Sequence, residues 1–162
     1  MTAMDVATQD GYGIDEQRAH YCDAPMLCTI DAAYGDGASL KWMIPHIADL
    51  CHKCGVKGKL DDMQMASLAK MIRNEFGYLK ASELMLFFYR LKAGHYGEFY
   101  GQVDNMRIMR AMRGKFTEER VKAIDHHEGQ LKDRERLERA KTALKPDEIE
   151  ALRKRLQQEG KI

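Results

Sequence analysis

Residues 84–101, LMLFFYRLKAGHYGEFYG, limit what this chain can fold into more than any other stretch, because helical spacing accounts for their first half and fails in the second. Leu84, Phe87, Phe88 and Leu91 fall at i, i+3, i+4 and i+7, which makes one apolar helix face that needs a core to cover it. From Lys92 to Gly101, three glycines interrupt aromatic and charged residues. That is the composition of an ordered loop, in which glycine sets backbone direction and aromatics hold the turn down. Eight of the thirteen aromatic residues lie between Phe76 and Tyr100, so the helix and its loop are the expected centre of the core.

The same period recurs on both sides. Met26, Leu27, Ile30, Ala33 and Tyr34 predict a short helix closed by Gly35-Asp36-Gly37. Leu40, Met43, Ile44, Ile47, Leu50, Cys51 and Cys54 predict a second, which Pro45 either starts or kinks and which Gly55 and Gly58 end. Asp61 or Asp62 caps a third through Met65, Leu68, Ala69, Ile72 and Phe76, Ser82 caps the aromatic fourth, and Asp104 caps a fifth along Ile108, Met109, Met112 and Phe116. No segment alternates over five residues, and a short hairpin near 99–103 is the one competing reading. The predicted fold class is all-α, a compact bundle of about five short helices over residues 24–116.

Both ends differ from this core. Residues 1–23 hold five acids (Asp5, Asp10, Asp15, Glu16, Asp23) against Arg18 and show little apolar periodicity, which reads as a flexible acidic arm. Beyond Phe116 there is no aromatic residue, and Thr117 with Glu118 and Glu119 is a good helix start. Residues 117–162 therefore read as a charged helical tail. Its leucines, among them Leu137, Leu144, Leu152 and Leu156, are too sparse for a core and suit a protein partner or a second copy of the chain. At 162 residues the chain is about one domain long and can bury a core without disulfides. It has neither a basic, apolar leader pattern nor eighteen consecutive apolar residues, so the expectation is a cytoplasmic protein with no membrane partner.

Three constellations can carry chemistry. The CHKCG motif places Cys51 and Cys54 at the spacing of half a zinc site, with Cys22 and Cys28 as the remaining ligands; the competing reading is buried thiols. His126-His127-Glu128 does not form an HExxH motif, and adjacent helical histidines point about 100° apart, which suits a solvated face. There is no GxxxxGK[ST] and no GxSxG, so the chain reads as non-enzymatic. The third constellation mixes bases with aromatics: Lys92, His95 and Tyr96 lead into Arg107, Arg110 and Arg113, a set able to stack bases and neutralise phosphates on single-stranded DNA. The competing reading buries the aromatics and leaves the arginines on a solvated helix face.

Residues 71–113, MIRNEFGYLKASELMLFFYRLKAGHYGEFYGQVDNMRIMRAMR, resemble an uncharacterised family of small proteins from gut bacteria and their mobile elements. In that family an ELMLFFYR-type helix leads into KAGHYGEFYG and then VDNMRIM. The layout, a helical domain before a charged tail, is also similar to that of phage helicase loaders. That similarity implies an accessory role in DNA replication, with a replicative helicase as protein partner.

Overall fold

The computed structural model describes residues 4–142 and 146–158, and among them there are helices and isolated bridges but no strand. Its helices are α1 (Gln9–Ile14), α2 (Glu16–Tyr21), α3 (Leu27–Tyr34), α4 (Ala38–Lys53), α5 (Asp62–Phe76), α6 (Ala81–Lys92), α7 (Asn105–Ala111), α8 (Thr117–Thr142) and α9 (Pro146–Gln158). The all-α class holds. Two units divide the chain, residues 1–121 and 122–162, and the core and candidate site lie in the first.

The aromatic helix α6 is the centre of that core. Leu84, Met85, Leu86, Phe87 and Phe88 are all fully buried, so α6 is covered around most of its circumference and not along one stripe alone. Phe87 meets Phe116 edge-on at 5.2 Å and stacks on Tyr96 at 5.5 Å, joining α6 to the loop after it and to the turn that follows α7. Asp61 caps α5 with Gln64 in a capping box, and Asp104 accepts the Met106 N–H at the start of α7. Pro45 lies inside α4, within its second turn. No hairpin forms at 99–103. Instead this loop lies against the α4–α5 connection, where Gly58 donates to the Gly101 carbonyl and accepts from the Val103 N–H.

Two local expectations need correcting, and a third holds. Residues 4–23, expected within a flexible acidic arm over 1–23, are folded: α1 and α2 pack on α6 and bury Gln9, Tyr12, Ala19 and His20. Apolar periodicity misses this segment because polar groups hold it, with partners far away in sequence. Gln9 Nε2 donates to His46 Nδ1 at 2.9 Å, and burial pushes the His46 pKa down, keeping the ring a neutral acceptor. Ser82 is not a cap. It is fully buried and donates to the Ala19 carbonyl at 2.6 Å, while Glu83 accepts the Lys80 N–H at the helix start. The helix start at Thr117 stands: α8 begins there with Glu118 and Glu119 in its first turn, entered directly from α7 through a π-helical turn, Met112–Phe116, with the Thr117 hydroxyl donating to the Met112 carbonyl.

Glu83 gathers these pieces. Its carboxylate is 1% exposed and accepts from His20 Nδ1 at 2.8 Å, from the Lys80 N–H at 3.0 Å and from Arg120 Nε at 2.7 Å, so α2, α6 and the first turn of α8 meet on one buried charge. Lys80 Nζ extends the network to the carbonyls of His20 and Cys22. Burial alone would push the Glu83 pKa up, but the hydrogen bonds from His20, Lys80 and Arg120 outweigh it and hold the pKa below its ordinary value.

Two predictions follow from this packing. A Cβ on Gly13 would sit 2.0 Å from the Tyr89 ring, whereas one on Gly11 meets nothing closer than 3.9 Å. Gly13→Ala should therefore lower stability by roughly 1–3 kcal/mol and Gly11→Ala should raise it by up to about 1 kcal/mol, read by urea unfolding; equal effects would mean that α1 is not seated on α6. For Glu83, a native pKa below the ordinary 4.5 means its contribution is complete above about pH 4.5 and is lost as pH falls through the lower native value. Glu83→Gln should cost roughly 3 kcal/mol at pH 7. The gap to the parent should narrow as unfolding is repeated below pH 4.5, and a gap independent of pH would contradict the assignment.

Candidate nucleic-acid interface

The six residues expected to contact nucleic acid divide into two groups. Lys92 is nearly buried and pairs with Asp49 at 2.7 Å. The pairing with Lys53 and Lys92 overcomes burial and holds the Asp49 carboxylate below its usual range. His95 and Tyr96 turn onto Glu119 at the start of α8, with His95 Nε2 2.8 Å from one carboxylate oxygen and the Tyr96 hydroxyl donating to the other at 3.1 Å. Arg90 reaches the same carboxylate at 2.9 Å and Glu16 at 3.0 Å. Burial raises the Tyr96 pKa and the adjacent Glu119 charge raises it further, so the phenol stays protonated and donates. Arg113 forms a two-pronged pair with Glu75. These four side chains are committed to carboxylates within the protein and do not form a free basic surface.

Arg107 and Arg110 are different. Neither has a carboxylate partner among the described residues, and both project from α7 into an open cleft of about 540 Å³ bounded by Tyr96, Lys115 and Gly114. The Arg107 guanidinium lies over the ring of Tyr100, 5.2 Å from its centroid, and Tyr100 is 77% exposed. Lys115 Nζ rests on the His95 carbonyl at 3.3 Å, which leaves its charge uncompensated. Asp104 also borders this cleft, and its carboxylate is occupied in capping α7. The loop glycines are what bring Tyr100 here: Gly94, Gly97 and Gly101 all hold positive φ, at 76°, 96° and 77°.

A second groove of about 460 Å³ runs along the other side of Arg110, lined by Met71, Met106, Met109 and Asn105. Arg110, Met106 and Gly114 border both openings. Sequence reasoning missed Tyr100, Asn105, Gly114 and Lys115 as site residues. Gly114 carried the one available signal, a glycine inside a helical stretch where none is needed for a turn.

The cysteines do not assemble. Cys51 is buried, Cys22 and Cys54 are partly buried, and Cys28 is exposed, all as free thiols. Cys54 Sγ turns back to the Cys51 carbonyl at 3.6 Å, and burial raises the Cys51 pKa. Among the described residues no group of three or more His, Cys, Asp or Glu is placed to hold a metal ion, so the expected Cys22, Cys28, Cys51 and Cys54 site does not form. In the second unit Leu137 is 61% exposed; Leu144 and the side chains of Leu152 and Leu156 lie outside the described residues. No helix among the described residues is long and apolar enough to cross a membrane.

Residues 59–159 match the model of DUF6633, a family of unknown function. The chain belongs to this family. The DUF6633 span contains every residue that lines the two clefts, together with Glu83, Glu119 and the whole GHYGEFYG loop, whereas α1 to α4 precede it. No curated protein and no solved structure matches the chain.

Proposed function

We propose that this chain is a non-enzymatic adaptor whose α7 face contacts single-stranded DNA. The observation that carries this reading is the pair Arg107 and Arg110, which flank an open cleft with no carboxylate partner among the described residues, while Lys92 and Arg113 beside them are neutralised. Unpaired cations supply the counterion-release part of nucleic-acid binding, and an exposed ring beside a guanidinium supplies a platform for a base. Lys115 adds a third charge at the edge of the cleft. A helix as short as α7 suits contact with a flexible single strand better than insertion along a duplex groove.

The charged tail gives the adaptor its second arm. Val121, Leu131 and Leu137 are exposed apolar residues on α8, a pattern that suits a protein partner or a second copy. A replicative helicase is the protein partner that the loader-like layout suggests, and a mobile-element setting is the context it implies.

Fluorescence anisotropy with a 15-nucleotide oligothymidylate tests the DNA reading. The full-length chain should bind at low salt, and its affinity should fall as salt rises. Arg107→Ala and Arg110→Ala should each weaken binding and reduce the slope of log affinity against log salt by about 0.7 per lost phosphate contact. The double variant Glu75→Ala/Arg113→Ala should change little, since it removes a pair whose charges already cancel. Absence of binding at low salt, or an effect of that double variant as large as those at 107 and 110, would overturn the reading.

A further inference from the structure

We propose that the methionine-lined groove on the far side of Arg110 is a nucleobase pocket, which receives one base of the strand whose phosphates lie against Arg107 and Arg110. This rests on the single-strand reading above and adds to it a place where the protein touches a base. Met71, Met106 and Met109 present thioethers and methylene groups to an opening of about 460 Å³, ample for one base. Methionine sulfur packs favourably against flat aromatic rings and adapts to their shape.

The polar atom in this wall points to the same ligand. Asn105 Nδ2 donates to the Gln64 carbonyl at 3.1 Å, which fixes the amide with its nitrogen toward Gln64. Its Oδ1 has no hydrogen-bond partner among the described residues and is closed to solvent beside the groove. A buried acceptor left unpaired is costly, and a small turn of the Asn105 side chain toward the groove would let an N–H donor relieve it. Every nucleobase carries one on its Watson–Crick edge: a ring N–H in thymine and guanine, an amine in adenine and cytosine. An apolar slot with an unpaired acceptor beside it thus matches a flat heteroaromatic ring bearing N–H.

Placement makes the two openings one site. Arg110 and Gly114 border both, so a phosphate on Arg110 lies between the cleft that Arg107 lines and the methionine groove. Glu75 lies near this edge, but its carboxylate is held by Arg113, which lowers its pKa and compensates its charge. Gly114 sits in the π-helical turn, where a Cβ would meet nothing within 4 Å. Packing does not require a glycine there, and a π-turn is a frequent device at functional sites. A side chain at this position would project into the space that the two openings share.

The test compares oligothymidylate with an oligonucleotide of equal length carrying abasic sites, both on the full-length chain. The parent should prefer the thymine strand by about five-fold to a hundred-fold, the range expected for one well-packed base. Gly114→Leu should lose that preference with its melting temperature unchanged. Photo-crosslinking of a 5-iodouracil strand to the parent should label Met71, Met106 or Met109, a readout independent of how any variant folds. Equal affinity for the two strands, a preference that survives Gly114→Leu, or crosslinks confined to Tyr100 would overturn the pocket and leave the electrostatic contact standing. No binding of either strand would overturn both.

Discussion

The charge on Glu83 is the contact on which the rest of this fold depends. A carboxylate 1% exposed is tolerable only when its lone pairs are met, and His20, the Lys80 backbone and Arg120 meet them from three separate stretches of chain. The arrangement fixes more than energy. It sets where α2 lies against α6 and where α8 begins, and Glu119, one residue before Arg120, is thereby placed to receive His95, Tyr96 and Arg90. The loop from Gly94 to Gly101 is held by that second carboxylate, so its position follows from the first. Removing Glu83 would loosen the support that Glu119 gives the loop at His95 and Tyr96.

Within this framework the useful cations are the ones the protein does not consume. Lys92, Arg90, Arg113 and Arg120 each end on a carboxylate, and a partner wishing to use them must first break that pair. Arg107 and Arg110 end on solvent and on an aromatic ring. A count of basic residues cannot separate the two groups, because the acids that neutralise Arg90, Lys92, Arg113 and Arg120 lie 29 or more positions away in the chain. The proposed DNA contact therefore narrows to a smaller surface than the sequence suggests, centred on α7 and bordered by Tyr100.

The parts legible in the sequence are those governed by local periodicity and capping. The stripes of α4, α5 and α7, the Asp61 and Asp104 caps and the aromatic face of α6 follow from spacing alone, because each depends on residues within a few positions. The folded start of the chain does not. Gln9 and His20 are buried through partners 37 and 63 residues away, and polar residues at those positions look like solvent-exposed ones until the partners are known. The same reason hides the site: Asn105 matters because its oxygen is buried and unpaired, and Gly114 because the space above it is empty. Neither property exists in a string of letters. Ser82 shows the converse, a residue with the chemistry of a helix cap whose hydroxyl instead reaches the Ala19 carbonyl 63 residues away.

Taken together, the account is of a helical DUF6633 protein that closes its core with buried ion pairs and leaves one short helix with open clefts on both sides. Hydrogen exchange of the full-length chain, with and without saturating oligothymidylate, tests its functional claim most directly. The account predicts added protection concentrated in residues 98–116, with little change in α3 to α5 away from Met71. Protection confined to residues beyond 122, or none at a strand concentration that saturates binding, would contradict it.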